Sequence, residues 1–454
     1  MKKLFKIFFI LTALIINTQT GFCKSNLTIP VQNTTQNNHI EQNSDFKAGM
    51  NFILNSQYKE AINCFDTYLK NTSSPHPDVY FQKGYAYIAM GDKENAYNNF
   101  QLALRHNPYN IYALVNYINI KFTHNPSDES LINEINRALV IINQGYFSPK
   151  LLTNDTQTGT IFIYPSQSYK ISTDNTFKKS VLSNLYYLQA VIHYKNQKIE
   201  HCFINAEKSY KLNPHNLNSL DLMKTISANE LNHGDFNIAL DYIQKTINSL
   251  DDNINAQQQN SYIDSIYLTL YKCLGSALFN LERYDESITA YTKALEYDPK
   301  NSELFSYRAD AYYKTNYTEK ALNDLDNAIK YDYKNEMAYT LRAAIKTENF
   351  DYQGAINDYT KALYINPKNA DTFVYRALVK SKIYDDDGAI ADYNQAEKIN
   401  PEYAAVYFNR ALIYAKQNKN TQALSDMTKA KILFNNTGDT ENYNNAVNFI
   451  NQRR

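Results

Sequence analysis

The sequence predicts an all-α fold built as a long array of helical hairpins, and three observations carry that prediction. The 454-residue chain repeats itself at a period of 34 through its C-terminal half: Arg308-Ala309, Arg342-Ala343, Arg376-Ala377 and Arg410-Ala411 each step by that interval. Gly and Pro together make 22 of the residues, under half the ordinary share of about 12%. Turn-dense all-β folds and glycine loops that cradle phosphates need more breakers than this. Within each period, apolar and aromatic residues recur at spacings of three and four, as on one face of a helix. That pattern breaks once near the middle, as at Asn349-Phe350-Asp351 or Asp385-Asp386-Asp387. Each period therefore reads as two amphipathic helices joined by a tight turn.

The N-terminus has the three-part layout of a secretory signal. Lys2, Lys3 and Lys6 precede an uncharged run from Ile7 to Ile16, and Gly21, Phe22 and Cys23 follow. Residues 1–23 are expected to be a signal peptide and the mature chain to be exported, periplasmic or secreted. The apolar run is too short to span a bilayer, which takes about 20 residues, so no integral membrane span is expected once the signal is removed. Cleavage after Cys23 leaves Cys64, Cys202 and Cys273, an odd set that cannot all pair within one molecule. Residues 24–41, rich in Asn, Gln and Thr, have too little apolar surface to stay ordered and read as a tether.

The repeat pattern then orders the rest. Residues 42–142 hold N-terminal repeats: one has Gly49, Phe52, Tyr58, Ala61 and Phe65; the next, 77–110, has Tyr80, Gly84, Tyr87, Gly91, Ala96, Phe100, Ala103 and Pro108. Residues 143–182 interrupt the period. There Thr160 to Tyr164 is β-branched and aromatic, and Tyr169-Lys170-Ile171 could pair back on it across Pro165-Ser166. Repeats resume over 183–250, with Tyr186, Ala190, Cys202, Ala206 and Pro214, and the segment 217–250 reads a turn longer than the others. A polar connector over 251–267 leads to the C-terminal array, 268–437. Alanines step through it at 321, 355, 389 and 423, and at 294, 328, 362, 396 and 430, with helix-stopping prolines at 299, 367 and 401. Residues 438–454 carry Tyr443, Val447 and Ile450 at helical spacing and read as a capping helix.

The small residues let paired helices approach to about 8–10 Å. The motif (first-helix aromatic, small residue four on, Ala twelve later, aromatic, Ala, then Pro) stands in the unit from Leu268 as Tyr271, Gly275, Ser287 at the Ala place, Tyr291, Ala294 and Pro299. It resembles the tetratricopeptide repeat family. The resemblance implies a right-handed α-solenoid of antiparallel helix pairs, about ten of them, with the first helices lining a concave side. By register it puts Phe279, Tyr313, Val374, Leu378, Phe408 and Leu412 on that side, bordered by Lys314, Lys382 and Lys416, as a groove for a peptide or helix of a partner. Family members that bind chaperone C-terminal carboxylates use a clamp of Lys, Asn and Arg; Ser276 and Tyr307 stand where Asn would be expected, so that ligand is disfavoured.

A second ladder accompanies the arginines. Asp324, Asp358, Asp392 and Asp426 lie 16 residues after Arg308, Arg342, Arg376 and Arg410, and the unit that lacks the Arg has Leu274 and Ala290 at those places. Charge stands at both positions or at neither, which predicts an ion pair across the two helices of one unit.

The formal charge is zero, 46 basic against 46 acidic residues, so the basic footprint of a nucleic-acid binder is missing. Walker, dinucleotide, nucleophile-elbow and HExxH motifs are absent. His193, His201 and Cys202 are a close trio of metal-binding types, but the register places His193 and Cys202 between helices, so no metal is expected. The expectation is a non-catalytic protein-interaction scaffold with no cofactor, no small-molecule substrate and a protein partner. The alternatives are a secreted effector acting on host proteins, or an enzyme whose site lies in the insertion at 145–180.

Overall fold

The period of 34 folds as paired helices. The structure, a computed structural model, describes residues 43–143, 153–155, 160–162, 175–253 and 260–453. The expected signal and tether, most of the insertion, and the Tyr169-Lys170-Ile171 segment lie outside the described residues. Contacts divide the chain into two compact units, 1–232 with 245–258, and 233–244 with 259–454.

The first unit contains α1 (Ser44–Leu54), α2 (Tyr58–Asn71), α3 (Pro77–Ala89), α4 (Lys93–His106), α5 (Ile111–His124), α6 (Ser130–Asn143), α7 (Asn175–Lys195), α8 (Ile199–Leu212) and nearly all of α9 (Leu217–His233). Between α6 and α7 stand β1 (Thr153–Asp155) and β2 (Thr160–Phe162), antiparallel with Asn154 opposite Ile161. The strand expected at Thr160 is thus present through Phe162 and pairs with Thr153–Asp155, which precedes it in the chain. Helix α10 (Phe236–Asn253) contributes residues to both units.

The second unit runs through α11 (Ser261–Asn280), α12 (Tyr284–Tyr297), α13 (Ser302–Lys314), α14 (Thr318–Tyr331), α15 (Glu336–Glu348), α16 (Tyr352–Ile365), α17 (Ala370–Lys382), α18 (Asp386–Ile399), α19 (Ala404–Lys416), α20 (Asn420–Thr437) and α21 (Thr440–Asn451). Helix α11 takes in the last part of the expected connector, 261–267, and α7 starts ahead of position 183.

Local chemistry sets the helix ends. Asn301, Asn335 and Asn369 cap α13, α15 and α17, each side-chain oxygen accepting from a backbone N–H three residues on. Asp351 and Asp385 do the same for α16 and α18. Each such cap is worth about 1 kcal/mol. Asp386 and Asp387 therefore belong to the first turn of α18, and the break expected at them ends at Asp385. Asp298, Asn366 and Asn400 close α12, α16 and α18 just before the prolines, which cannot continue a helix. The turn inside each hairpin passes through a left-handed residue at 282, 316, 350, 384 and 418, with φ from 59° to 63°. Phe350 and Tyr384 occupy that strained position with their rings 77% and 81% exposed.

The two helices of a hairpin meet where the first carries Gly or Ala and the second carries a large side chain 16 residues later. Gly84 faces Phe100 and Gly275 faces Tyr291; a Cβ on either glycine would stand 2.8 Å and 2.6 Å from the ring. Ala343 and Tyr359 share one buried cluster, and Ala377 and Tyr393 share another. Successive hairpins then stack. In the second unit each second helix packs on the next first helix, and first helices also touch one another, α11 with α13, α13 with α15 and α17 with α19. Helix α21 packs on α20 and buries Ala446, Phe449 and Ile450, closing the end of the stack.

Gly84→Val should therefore cost on the order of 1–3 kcal/mol in chemical denaturation, because the branched side chain must displace the fully buried Phe100. An unchanged midpoint would mean the helices do not need this close approach.

Candidate protein-interaction site

Two sets of side chains stand on the first helices of the second unit: the arginine ladder, turned toward the second helices, and the groove residues. Arg308, at Nε and Nη2, donates to both carboxylate oxygens of Asp324 at 2.7 and 2.9 Å. The same fork joins Arg342 to Asp358 at 2.9 and 2.7 Å, Arg376 to Asp392 at 2.9 and 2.6 Å, and Arg410 to Asp426 at 2.7 and 3.0 Å. The planar guanidinium suits this bidentate geometry.

A third partner escaped the sequence reading. The remaining nitrogen, Nη1, reaches back 16 residues to the second helix of the preceding hairpin: Thr292 for Arg308 at 3.0 Å, Asp326 for Arg342 at 2.6 Å, Thr360 for Arg376 at 3.0 Å and Asn394 for Arg410 at 2.5 Å. Each arginine thus ties its own hairpin together and binds it to the one before. Lys346 and Lys380 add a second cation to Asp358 and Asp392, both at 2.8 Å, whereas Arg308 is the one cation paired with Asp324 among the described residues.

The groove residues divide by burial. Leu378 and Leu412 are 37% and 43% exposed. Phe279, Tyr313 and Phe408 are half-buried; Phe279 meets Tyr284 edge-on at 5.3 Å, and Phe408 meets Phe434 edge-on at 6.0 Å. Val374 is a correction. It is 3% exposed, in a cluster with Ala377, Tyr393 and the next hairpin's Val406, so it cannot touch a partner. Lys314, Lys382 and Lys416 are exposed; Lys416 pairs with Asp386 at 2.8 Å and lies over the Tyr384 ring.

The register also exposes a residue missed in the sequence. Asp310 on α13 occupies the place taken by Leu378 on α17 and Leu412 on α19, two and three hairpins' intervals on in the same 34-residue frame. It is 4% exposed, and its Oδ1 has no hydrogen-bond partner among the described residues. Burial pushes its carboxyl up to about 6, and Lys314 one turn away only partly offsets this.

Elsewhere the chemistry is quiet. His193 and His201 lie with ring centroids 5.3 Å apart, burial lowers the His193 pKa, and no group of His, Cys, Asp and Glu among the described residues is arranged to hold a metal. Cys64, Cys202 and Cys273 are free thiols, and burial pushes Cys202 and Cys273 up to about 12 and about 11, so both stay protonated and unreactive. Among the described residues no helix is long and apolar enough to cross a membrane.

Family comparisons agree with this geometry. A family model described as "TPR repeat" matches residues 275–316 and 385–418, and one described as "Tetratricopeptide repeat" matches 77–110 and 338–369. The chain is a tetratricopeptide-repeat protein. No curated protein sequence matches it. Among solved structures it is similar to a tetratricopeptide repeat protein from Parabacteroides merdae, at 15% identity and a TM-score of 0.42, covering 58% of this chain and 98% of that one. It is also similar to MamA, at 23% identity and a TM-score of 0.35 over 37% of this chain and 97% of that one. A third is YrrB, titled a TPR protein with an unusual peptide-binding site, at 16% identity and a TM-score of 0.32 over 36% and 84%. Tetratricopeptide repeats build protein-interaction scaffolds, and this chain has that architecture.

Two predictions follow from the buried charges of this repeat array. Arg308→Ala should cost about 3–5 kcal/mol, since it strands Asp324 without another cation, while Arg376→Ala should cost less because Lys380 still holds Asp392. Equal denaturation midpoints for the two variants would contradict that ordering. Asp310 gives a pH effect of definite sign. Its folded pKa lies above the unfolded carboxylate value, so the folded state holds the proton more tightly. The stability is then full below about pH 4 and declines as pH rises to about 6. Asp310→Asn should gain on the order of 1–3 kcal/mol over the parent at pH 7, with the gain closing near pH 4. Parallel stability curves across that window would refute an uncompensated carboxylate.

Proposed function

We propose that this tetratricopeptide-repeat protein is a non-catalytic scaffold that holds a peptide or helix of a partner protein along the first helices of its second unit. The observation that carries the reading is the exposure of Leu378 and Leu412 at equivalent places on α17 and α19, with Phe279 on α11, Tyr313 on α13 and Phe408 on α19 half-buried. Apolar side chains repeated on one face of a packed array, with lysines at the border, offer anchors spaced for an extended segment. The internal surfaces of the hairpins are already filled by the alanine and aromatic ladders, so these leucines are spare to the fold.

The arginine ladder is read as structural. Its guanidinium nitrogens are taken by carboxylates and acceptors of the protein itself, which leaves them no anion to bind. The same proposal places the protein outside the cytosol. Its support is the sequence layout of Lys2, Lys3 and Lys6 before the Ile7–Ile16 run, and the absence of a cysteine framework does not oppose it.

Replacing Leu378 and Leu412 together by Glu should abolish retention of the partner in affinity capture from the native compartment, while the helical melt stays within a few degrees of the parent. Undiminished retention of the same partner by the double variant would place the binding surface elsewhere.

A further inference from the structure

Helices α6, α7 and α8 of the first unit bound an open cleft of 360 Å³. Leu182 and Tyr186 on α7, Lys208, Lys211 and Leu212 on α8, and Asn143 at the end of α6 line it together. Its walls are apolar and reachable from solvent: Leu182 is buried, while Tyr186 and Leu212 are half-buried. Small-molecule sites have this make-up, with hydrocarbon and aromatic walls and a few polar groups that fix orientation.

The polar groups at the cleft carry one sign of charge. Lys208 and Lys211 stand three residues apart on α8 and so share one side of that helix, and both are exposed. Lys211 pairs with Glu207 at 2.7 Å, and Glu207 also accepts from Ser249 Oγ at 3.3 Å, so the charge of Lys211 is answered within the protein. Lys208 has no carboxylate partner among the described residues, and its ammonium lies 5.6 Å from the centre of the Tyr186 ring. One positive charge is therefore left over beside the apolar walls, and the Asn143 amide adds neutral donors.

We propose that this cleft binds an apolar carboxylic acid, with its hydrocarbon against Leu182, Leu212 and Tyr186 and its carboxylate on Lys208. A dry cavity of about 150 Å³ takes a benzene ring, so the volume here suits an alkyl chain of about ten carbons. A single surplus charge matches a monoanion, and an alkylammonium of the same length meets Lys208 as a like charge. The acid can be a free one or the apolar C-terminal residue of a peptide, which present the same chemistry. The cleft belongs to the first unit and the leucine groove to the second, so neither reading rests on the other.

Isothermal titration of the full chain with sodium decanoate tests this. Decanoate should bind, whereas acetate, with the charge and no chain, and decyltrimethylammonium, with the chain and the opposite charge, should not. Lys208→Glu should weaken decanoate about tenfold or more and admit the decyl cation, with the helical melt unchanged because Lys208 is exposed. In leucine-methyl NMR spectra of the full chain, the Leu182 and Leu212 resonances should move on saturation with decanoate while Leu378 stays. Displacement of decanoate by an acetylated Gly-Leu dipeptide with a free carboxylate, and not by its amide, would assign the site to a chain terminus; no displacement would assign it to a free acid. Failure of decanoate to bind, binding that survives Lys208→Glu, equal uptake of the decyl cation by the parent, or unmoved Leu182 and Leu212 methyls would each overturn the proposal.

Discussion

The close approach of a small residue to a ring 16 positions later is the contact on which the rest of this chain depends. Without Gly84 against Phe100, or Gly275 against Tyr291, the two helices of a hairpin would stand too far apart to bury their alanines. A hairpin alone cannot bury its remaining apolar face, so it must stack, and the stacking repeats because the sequence does. First helices come to lie beside first helices, and a shared first-helix face is a consequence of that arrangement before it is a property of any residue.

The arginines add direction to what hydrophobic packing leaves loose. Alanine stripes permit some sliding of one hairpin on the next. A guanidinium fixed by two bonds to its own second helix and a third to the preceding one sets the register in both directions. The ladder starts at Arg308; the hairpin before it packs Gly275 against Tyr291 and has Leu274 and Ala290 at the charged places. That earlier hairpin relies on volume, the later ones on volume and charge together.

Much of this was legible because packing repeats in residue type. Alanines, arginines and aspartates recur as themselves, so a ruler finds them. The partners at 292, 326, 360 and 394 recur only as acceptor oxygens, on Thr, Asp, Thr and Asn, and no pattern of letters announces them. Burial is harder still. Val374 shares a helix face with Leu378 in the sequence, but the next hairpin's Val406 covers it. Asp310 looks like one more solvated carboxylate until the rings around it are in place. The pairing of Thr160–Phe162 with Thr153–Asp155 was hidden for a related reason: Thr160 carries a strand signal by itself, whereas nothing in Thr153–Asp155 does.

One helix, α13, holds both kinds of buried charge. Arg308 is matched by Asp324 and clamps α13 to α14, while Asp310, two residues on, has no such match. In an array where each hairpin touches only its neighbours, strain in one helix is borne locally and does not spread through a shared core. The fork at Arg308 holds the backbone that carries Asp310, so the unmatched carboxylate can be kept in place without unwinding the turn around it. An array whose stability is assembled hairpin by hairpin can hold one unsatisfied carboxylate in a helix that its own arginine clamps.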